Sequence, residues 1–331
     1  MNDFSLSAIN EKIVETSKFI KPLKELLNQK ILGQEILIDK ILVCMLANGH
    51  LLLEGVPGLA KTLTVKTISE LIDSNFQRIQ FTPDMLPADL IGTLIFNQKT
   101  SQFETRKGPI FSNIILADEI NRSPAKVQSA LLECMQERSV TIGEESFQLE
   151  RPFLVMATQN PIDQEGTYPL PEAQVDRFMF KLIVSYPDKN SEKDIIRANV
   201  NSHKSSIVKP IISGNDLINA QNLIQEIYVD EKIEDYVLNL IFATRDPKDY
   251  RLDDLADIVD FGASPRASIN LIRAAKSKAF IENRGYVTPE DIRYIGKEVL
   301  RHRIILTYEA EAEEISTEDV ITRLFEVIEV P

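Results

Sequence analysis

The sequence predicts an α/β fold, a five-stranded parallel sheet covered on both faces by helices, followed by a second, all-helical domain. Three observations carry this. Between residues 50 and 184, short apolar runs alternate with helical patterns, as expected of strands buried on both faces of a parallel sheet. After "SYPDKN" (185–190) the apolar runs stop and only helical periodicity continues. The first apolar run also leads straight into a glycine-containing loop and then a helix, the order in which α/β units bind phosphate.

Residues 1–30 read as an N-terminal helical segment, 31–185 as the α/β core and 186–331 as the helical domain. The strands are "HLLLE" (50–54), "QRIQF" (77–81), "NIILAD" (113–118), "FLVMAT" (153–158) and "FMFKLIV" (178–184). One helix begins at Thr62. Another starts at Pro124, with Ser123 as N-cap and Val127, Leu131 and Cys134 at helical spacing. Two stretches interrupt the rhythm and read as hairpins. One spans 90–111 and turns at Asn97–Ser101; the other spans 138–152 and turns at Gly143-Glu144-Glu145. Beyond 190, helical patterns cover 191–200, 216–227, 231–244, 265–283, 289–302 and 317–328. Ser264-Pro265 and Thr288-Pro289 supply N-cap and N1 signals for two of them.

Hydrophobic residues make up 44% of the 331, enough to bury a core and to argue against general disorder. Cys44 and Cys134 lie in apolar periodic stretches and read as small buried hydrophobes of a reducing compartment. No basic region followed by an apolar segment opens the chain, so no signal peptide is expected. The run "ILVCMLA" is far too short to span a bilayer. A cytoplasmic protein with no membrane insertion is therefore expected. Net charge is −13 and the isoelectric point about 4.9, which argues against phosphate-backbone binding as the main task. His50, His203 and His302 are scattered and receive no catalytic or metal role.

Residues Gly55-Val56-Pro57-Gly58-Leu59-Ala60-Lys61-Thr62 nearly match the phosphate-binding pattern G-x-x-x-x-G-K-[ST]. Ala60 stands where the second glycine belongs, a substitution tolerable if that residue keeps φ below zero. Backbone N–H groups from this loop and the helix it opens, with Leu63 next in line, would cradle phosphates. Lys61 would add charge at the β/γ phosphates of ATP, and the Thr62 hydroxyl would ligate Mg²⁺. "IILADE" (114–119) ends a strand in two carboxylates at the sheet's carboxyl edge, where open α/β sheets bind ligands. Asp118 would hold Mg²⁺ through water, and Glu119 would polarise the attacking water. Asn160, just past a strand in "VMATQNP", is placed to hold that water from the other side. Arg177 and Arg266 are candidates for γ-phosphate because guanidinium groups stay charged and bind in a fork; each could equally be a structural ion-pair partner.

These residues, with "ILGQE", "EGVPGLAKT", "FTPDMLPADLIGT", "GPIF", "ADEINRSPAKVQSALLECMQE", "MATQNPIDQEGTYPLPEAQVDRFMF" and "GASPRAS", resemble the MoxR family of AAA+ ATPases over nearly the whole chain. The resemblance implies an αβα P-loop core followed by a helical lid, assembled as a homo-hexamer promoted by ATP. By the same resemblance G-x-P-G-x-A-K-T is the family's own loop. Lys61 and Thr62 match Walker A, and Asp118 and Glu119 match Walker B. Asn160 matches sensor 1, Arg177 the arginine finger that reaches the neighbouring subunit, and Arg266 sensor 2. Gly33 and Gln34 match the box near adenine, and Arg122 a second interface contact. The hairpins match the helix-2 insert (within 84–110) and the pre-sensor-1 insert (within 138–152), which in relatives face the pore or the substrate. The function implied is chaperone-like: hydrolysis coupled to remodelling or activation of a protein client, such as one carrying a von Willebrand factor A domain, or to metal insertion or complex maturation. Two other readings stand beside it, a nucleic-acid motor of the helix-2-insert kind and a nucleotide-gated scaffold with little hydrolysis.

Overall fold

The structure, a computed structural model, describes residues 3–55, 61–160, 167–201 and 209–331. Its strands are β1 (Leu51–Glu54), β2 (Phe76–Gln80), β3 (Gly92–Asn97), β4 (Gln102–Lys107), β5 (Ile114–Asp118), β6 (Ser139–Ile142), β7 (Glu145–Gln148), β8 (Leu154–Gln159), β9 (Phe180–Ile183), β10 (Val259–Phe261) and β11 (Ile305–Leu306). The helices of the first half are α1 (Asp3–Thr16), α2 (Ile20–Lys30), α3 (Glu35–Leu46), α4 (Lys61–Leu71), α5 (Pro87–Ile91), α6 (Ala125–Glu137) and α7 (Glu172–Val175). Those that follow are α8 (Lys189–Asn201), α9 (Gly214–Gln225), α10 (Glu231–Arg245), α11 (Pro265–Ile281), α12 (Pro289–Leu300), α13 (Tyr308–Ala312) and α14 (Thr317–Val327).

The central sheet has the order β2-β5-β8-β1-β9 and every pair is parallel. Side chains alternate across a strand, and here the alternation divides two apolar layers. Leu51, Leu53, Ile114, Leu116, Leu154 and Met156 face one layer, shared with α2, α3 and the helices beyond 213. Leu52, Ile115, Ala117, Val155 and Ala157 face the other, filled by α5, α6 and the β6–β7 hairpin. Being covered on both faces is what requires the strands to read as apolar runs.

Both expected hairpins are present. β3 pairs antiparallel with β4, and β6 with β7. The first displays Leu94, Ile95, Phe96 and Phe103 to solvent, Phe103 being 69% exposed. The two hairpins touch, since a Cβ added at Gly143 would lie 2.6 Å from Leu94 Cδ1. Element ends shift by a residue or two from expectation. α4 begins at Lys61, and α6 at Ala125 with Pro124 in the N-cap position. The lid is helical, as its periodicity predicts, with one short addition: β10 and β11 pair antiparallel. At three and two residues they are too brief for period-2 alternation to show.

Candidate functional site

The carboxyl ends of β1, β5 and β8 meet at one edge of the sheet. Register places Glu54 opposite Gln159 and Asp118 opposite Gln80. Glu54 ion-pairs with Lys181 of β9 at 2.9 Å. The chain then leaves β1 at Gly55, where a Cβ would lie 2.5 Å from the Val184 carbonyl oxygen, so no larger residue fits without displacing backbone. Val56, Pro57, Gly58, Leu59 and Ala60 lie outside the described residues. Past them, Lys61 opens α4 and its Nζ donates to the Gly55 carbonyl at 2.6 Å. Burial pushes the Lys61 ammonium below the usual lysine range, while Asp118, Glu54 and Glu119 pull it back up. Thr62 and Leu63 follow on the first turn of the same helix.

Asp118 and Glu119 are held in different ways. The Thr158 hydroxyl, 2% exposed, donates to Asp118 Oδ1 at 2.6 Å and accepts from the Glu119 N–H at 2.8 Å. Arg78 fills the other Asp118 oxygen, its Nη2 at 2.6 Å and Nε at 3.1 Å from Oδ2. Glu119 adopts a left-handed backbone, φ 56° and ψ 50°, an uncommon state for a non-glycine residue that recurs at functional sites. Its Oε2 accepts from Gln80 Nε2 at 2.9 Å and ion-pairs with Arg122 Nε at 3.0 Å. The loop after Glu119 is fastened by buried Gln128, whose Nε2 donates to the carbonyls of Ile120, Ser123 and Tyr168. Asn160 follows β8 directly, and its carbonyl accepts from Asn121 Nδ2 at 3.4 Å.

The remaining candidates fall in two other places. Gly33 and Gln34 line a cleft of about 250 Å³ with Ile36, Lys40, Ile183 and Ser185. Gln34 Nε2 donates to the Ser185 carbonyl at 3.3 Å. Gly33 has φ +73°, and a Cβ there would meet Ser191 Cβ at 2.5 Å. Arg177 and Arg266 are related through Asp176. Arg266 Nη1 is 3.3 Å from Asp176 Oδ2, and Arg177 is the next residue. Arg177 is exposed and makes no ion pair or side-chain hydrogen bond among the described residues.

Gly55, Lys61, Asp118, Glu119 and the end of β8 thus gather in one place, while Arg266 bonds Asp176, the residue before Arg177. Sequence reasoning missed Arg78, Gln80, Thr158, Gln128 and Asp176. The donors at this sheet edge are oxygens, and among the described residues no three His, Cys, Asp or Glu side chains gather into a cage. That set suits Mg²⁺, which takes one or two protein oxygens and completes its shell with phosphates and water. With Asp118 already bonded by Thr158 and Arg78, its contribution would pass through water, and Thr62 would supply the direct oxygen. His50 is engaged structurally: its Nε2 donates to the Met135 carbonyl at 3.1 Å and its Nδ1 accepts from Val155 N–H at 3.0 Å.

A lysine at the head of a helix, a paired Asp-Glu at the end of the strand two places across the sheet and a helical lid define a P-loop nucleotide-binding protein. Residues 50–180 match the ATPase family associated with various cellular activities (AAA), and residues 254–324 match the AAA lid domain. The chain is 51% identical over 302 residues to chaperone MoxR1 of Mycobacterium tuberculosis, covering 91% of this chain and 79% of that one. It is 44% identical over 307 residues to the uncharacterised protein YeaC of Bacillus subtilis (93% of each chain), and 29% identical over 318 residues to protein MoxR of Methylorubrum extorquens (91% and 92%). The crystal structure of a candidate ATPase from Cytophaga hutchinsonii superposes with a TM-score of 0.93, at 51% identity and 99% coverage of both chains. The chain belongs to the MoxR family of AAA+ ATPases.

Proposed function

We propose that this chain hydrolyses ATP with Mg²⁺ as a homo-hexameric, chaperone-like ring and uses the cycle to remodel or activate a protein client. The observation that carries the reading is the gathering of Lys61, Asp118 and Glu119 at the carboxyl edge of the sheet, where both acids act on the Lys61 ammonium. Arg177, exposed and without a side-chain bond among the described residues, is left in this reading to serve a neighbour. In this reading Lys61 and the loop before it bind phosphate, and Thr62 with Asp118 would hold Mg²⁺, which when bound would supply charge neutralisation at the phosphates. Glu119 and Asn160 orient water in line with the γ-phosphorus, the adenine occupies the cleft at Gly33 and Gln34, and Arg177 stabilises transition-state charge in trans.

The client-facing elements would be the joined hairpins β3–β4 and β6–β7, whose exposed Phe96 and Phe103 offer an apolar grip. The name of the Mycobacterium tuberculosis relative supports a chaperone role; a von Willebrand factor A-domain partner remains an expectation from family resemblance. Two buried free thiols and the lack, among the described residues, of any helix long and apolar enough to cross a membrane are consistent with a cytoplasmic setting.

The test is ATP hydrolysis across a wide protein concentration range, with mass measured alongside and Glu119→Gln as control. Turnover per subunit should climb as oligomers form and vanish in the control. One observation favours the gated-scaffold reading: Gln80 and Arg122 occupy the Glu119 carboxylate. Tight ATP binding with concentration-independent or absent turnover would establish that reading instead.

A further inference from the structure

Arg303 sits just past the last turn of α12, and its side chain is wholly buried. Its donors are almost all spent on one short stretch of chain. Nε donates to Asp176 Oδ1 at 2.8 Å, and Nη2 to the carbonyls of Asp176 at 2.8 Å and Phe178 at 2.6 Å. Nη1 donates to the Met179 carbonyl at 3.2 Å and to that of Val299 in α12. His302 Nε2 adds a bond to the Phe178 carbonyl at 3.1 Å. Every one of these acceptors outside α12 flanks Arg177, and none belongs to it. The other side of Asp176 is held by the start of α11: Ser264 Oγ donates to both carboxylate oxygens at 3.0 and 3.1 Å, and Arg266 lies 3.3 Å away.

A buried ion pair is weak evidence for stability, because desolvation offsets most of its Coulomb gain. Burial pushes Arg303 down to about 10, with Asp176 pulling it back up. The cost is borne where a five-donor fork can immobilise the backbone on both sides of one exposed guanidinium.

We propose that Arg303 and Asp176 are positioning residues for Arg177, fastening the turn that carries it to the lid so that the lid's placement sets the reach of the finger. This rests on the reading that Arg177 acts on the neighbouring subunit's nucleotide. The lid grips the turn from two elements, the start of α11 and the end of α12. A shift of the lid is therefore passed to Arg177 without passing through its own subunit's Lys61, Asp118 or Glu119.

The experiment is intersubunit complementation. Arg303→Met, Asp176→Asn and Arg177→Ala are each assayed alone for folding, oligomer mass, ATP affinity and turnover. Each is then mixed one to one with Glu119→Gln, whose subunits keep the finger and lose the water-orienting acid. Misplacing a reacting group by about 1 Å costs about 10²-fold in rate. Arg303→Met and Asp176→Asn should therefore keep ATP affinity, lose turnover on that scale, and recover it in the mixture. Arg303→Lys, with a point charge instead of the fork, should behave like Arg303→Met. Undiminished turnover in folded, assembled Arg303→Met overturns the proposal. So does a loss that mixing fails to restore while the Arg177→Ala loss is restored, since the damage would then lie in the variant's own site. Should Arg303→Met not fold, Asp176→Asn is read by the same criteria. Failure of Arg177→Ala to recover overturns the trans reading, and the positioning proposal with it.

Discussion

The hydroxyl of Thr158 is bonded on both sides at once, to Asp118 Oδ1 and to the Glu119 N–H. Thr158→Val keeps the shape and strands both partners in a buried place. Leaving a buried polar group unmade costs about 1–3 kcal/mol, so the unfolding free energy from urea titration should fall by that amount, its midpoint moving lower, and turnover should fall, while Thr158→Ser retains both. An unchanged midpoint in Thr158→Val would show that the two acids hold their geometry unaided. Gly55 makes a second residue-scale case. Gly55→Ala puts a methyl 2.5 Å from the Val184 oxygen, so the loop must move, and ATP binding measured by calorimetry should be lost. The residues with signature chemistry, Lys61, Asp118 and Glu119, were legible from sequence because motif and position coincide. Thr158, Arg78 and Gln80 were not: on a strand they read as ordinary polar positions, and only the ladder register brings them to the acids. Arg303 was hidden for a related reason. An arginine at the end of an amphipathic helix reads as solvated until the turn at Asp176 folds over it.

At the scale of elements, His50 links three of them, standing before β1 and bonding α6 through Met135 and β8 through Val155. Burial lowers its pKa from 6.5 to about 3, and His302 is lowered well below 6.5 for the same cause. The unfolded chain therefore takes up protons first. The contribution of these histidines is intact above pH 6.5 and is lost as pH falls below it, by about 1.4 kcal/mol per pH unit for each, the loss from His50 continuing toward pH 3. Chemical denaturation at pH 7.5 and 5.5, a span in which most carboxylates stay ionised, should show the drop; equal stability at both would mean the rings are charged in the fold. The five core strands and the lid helices were readable because each buries a face with a definite period. The ladder of β10 and β11 was not, since five residues cannot display one. Likewise the contact between the hairpins, Leu94 over Gly143, joins segments that are local only in space.

For the whole molecule, Arg177 is exposed and its side chain makes no bond among the described residues, which leaves it available to a neighbouring subunit in the proposed ring. Arg177→Ala should therefore keep ATP binding and lose turnover by about 10³–10⁵-fold, read by phosphate release; full activity would refute the trans finger. With a formal charge of −13, no salt-sensitive gel shift is expected with single- or double-stranded DNA, and one would revive the motor reading. The apolar layer on one side of the sheet also extends without a break from Ile13 and Leu23 through Leu51 and Met156 to Leu271 and Ile321. Core and lid thus share this layer, and neither completes it alone. Calorimetric melting should accordingly give one endotherm with van't Hoff and calorimetric enthalpies in agreement, and a fragment ending at residue 185 should aggregate through its bared face. A lid that melts only with its core can move only as a rigid lever, so nucleotide state would be exported as a rotation of the whole body and not as a local loosening.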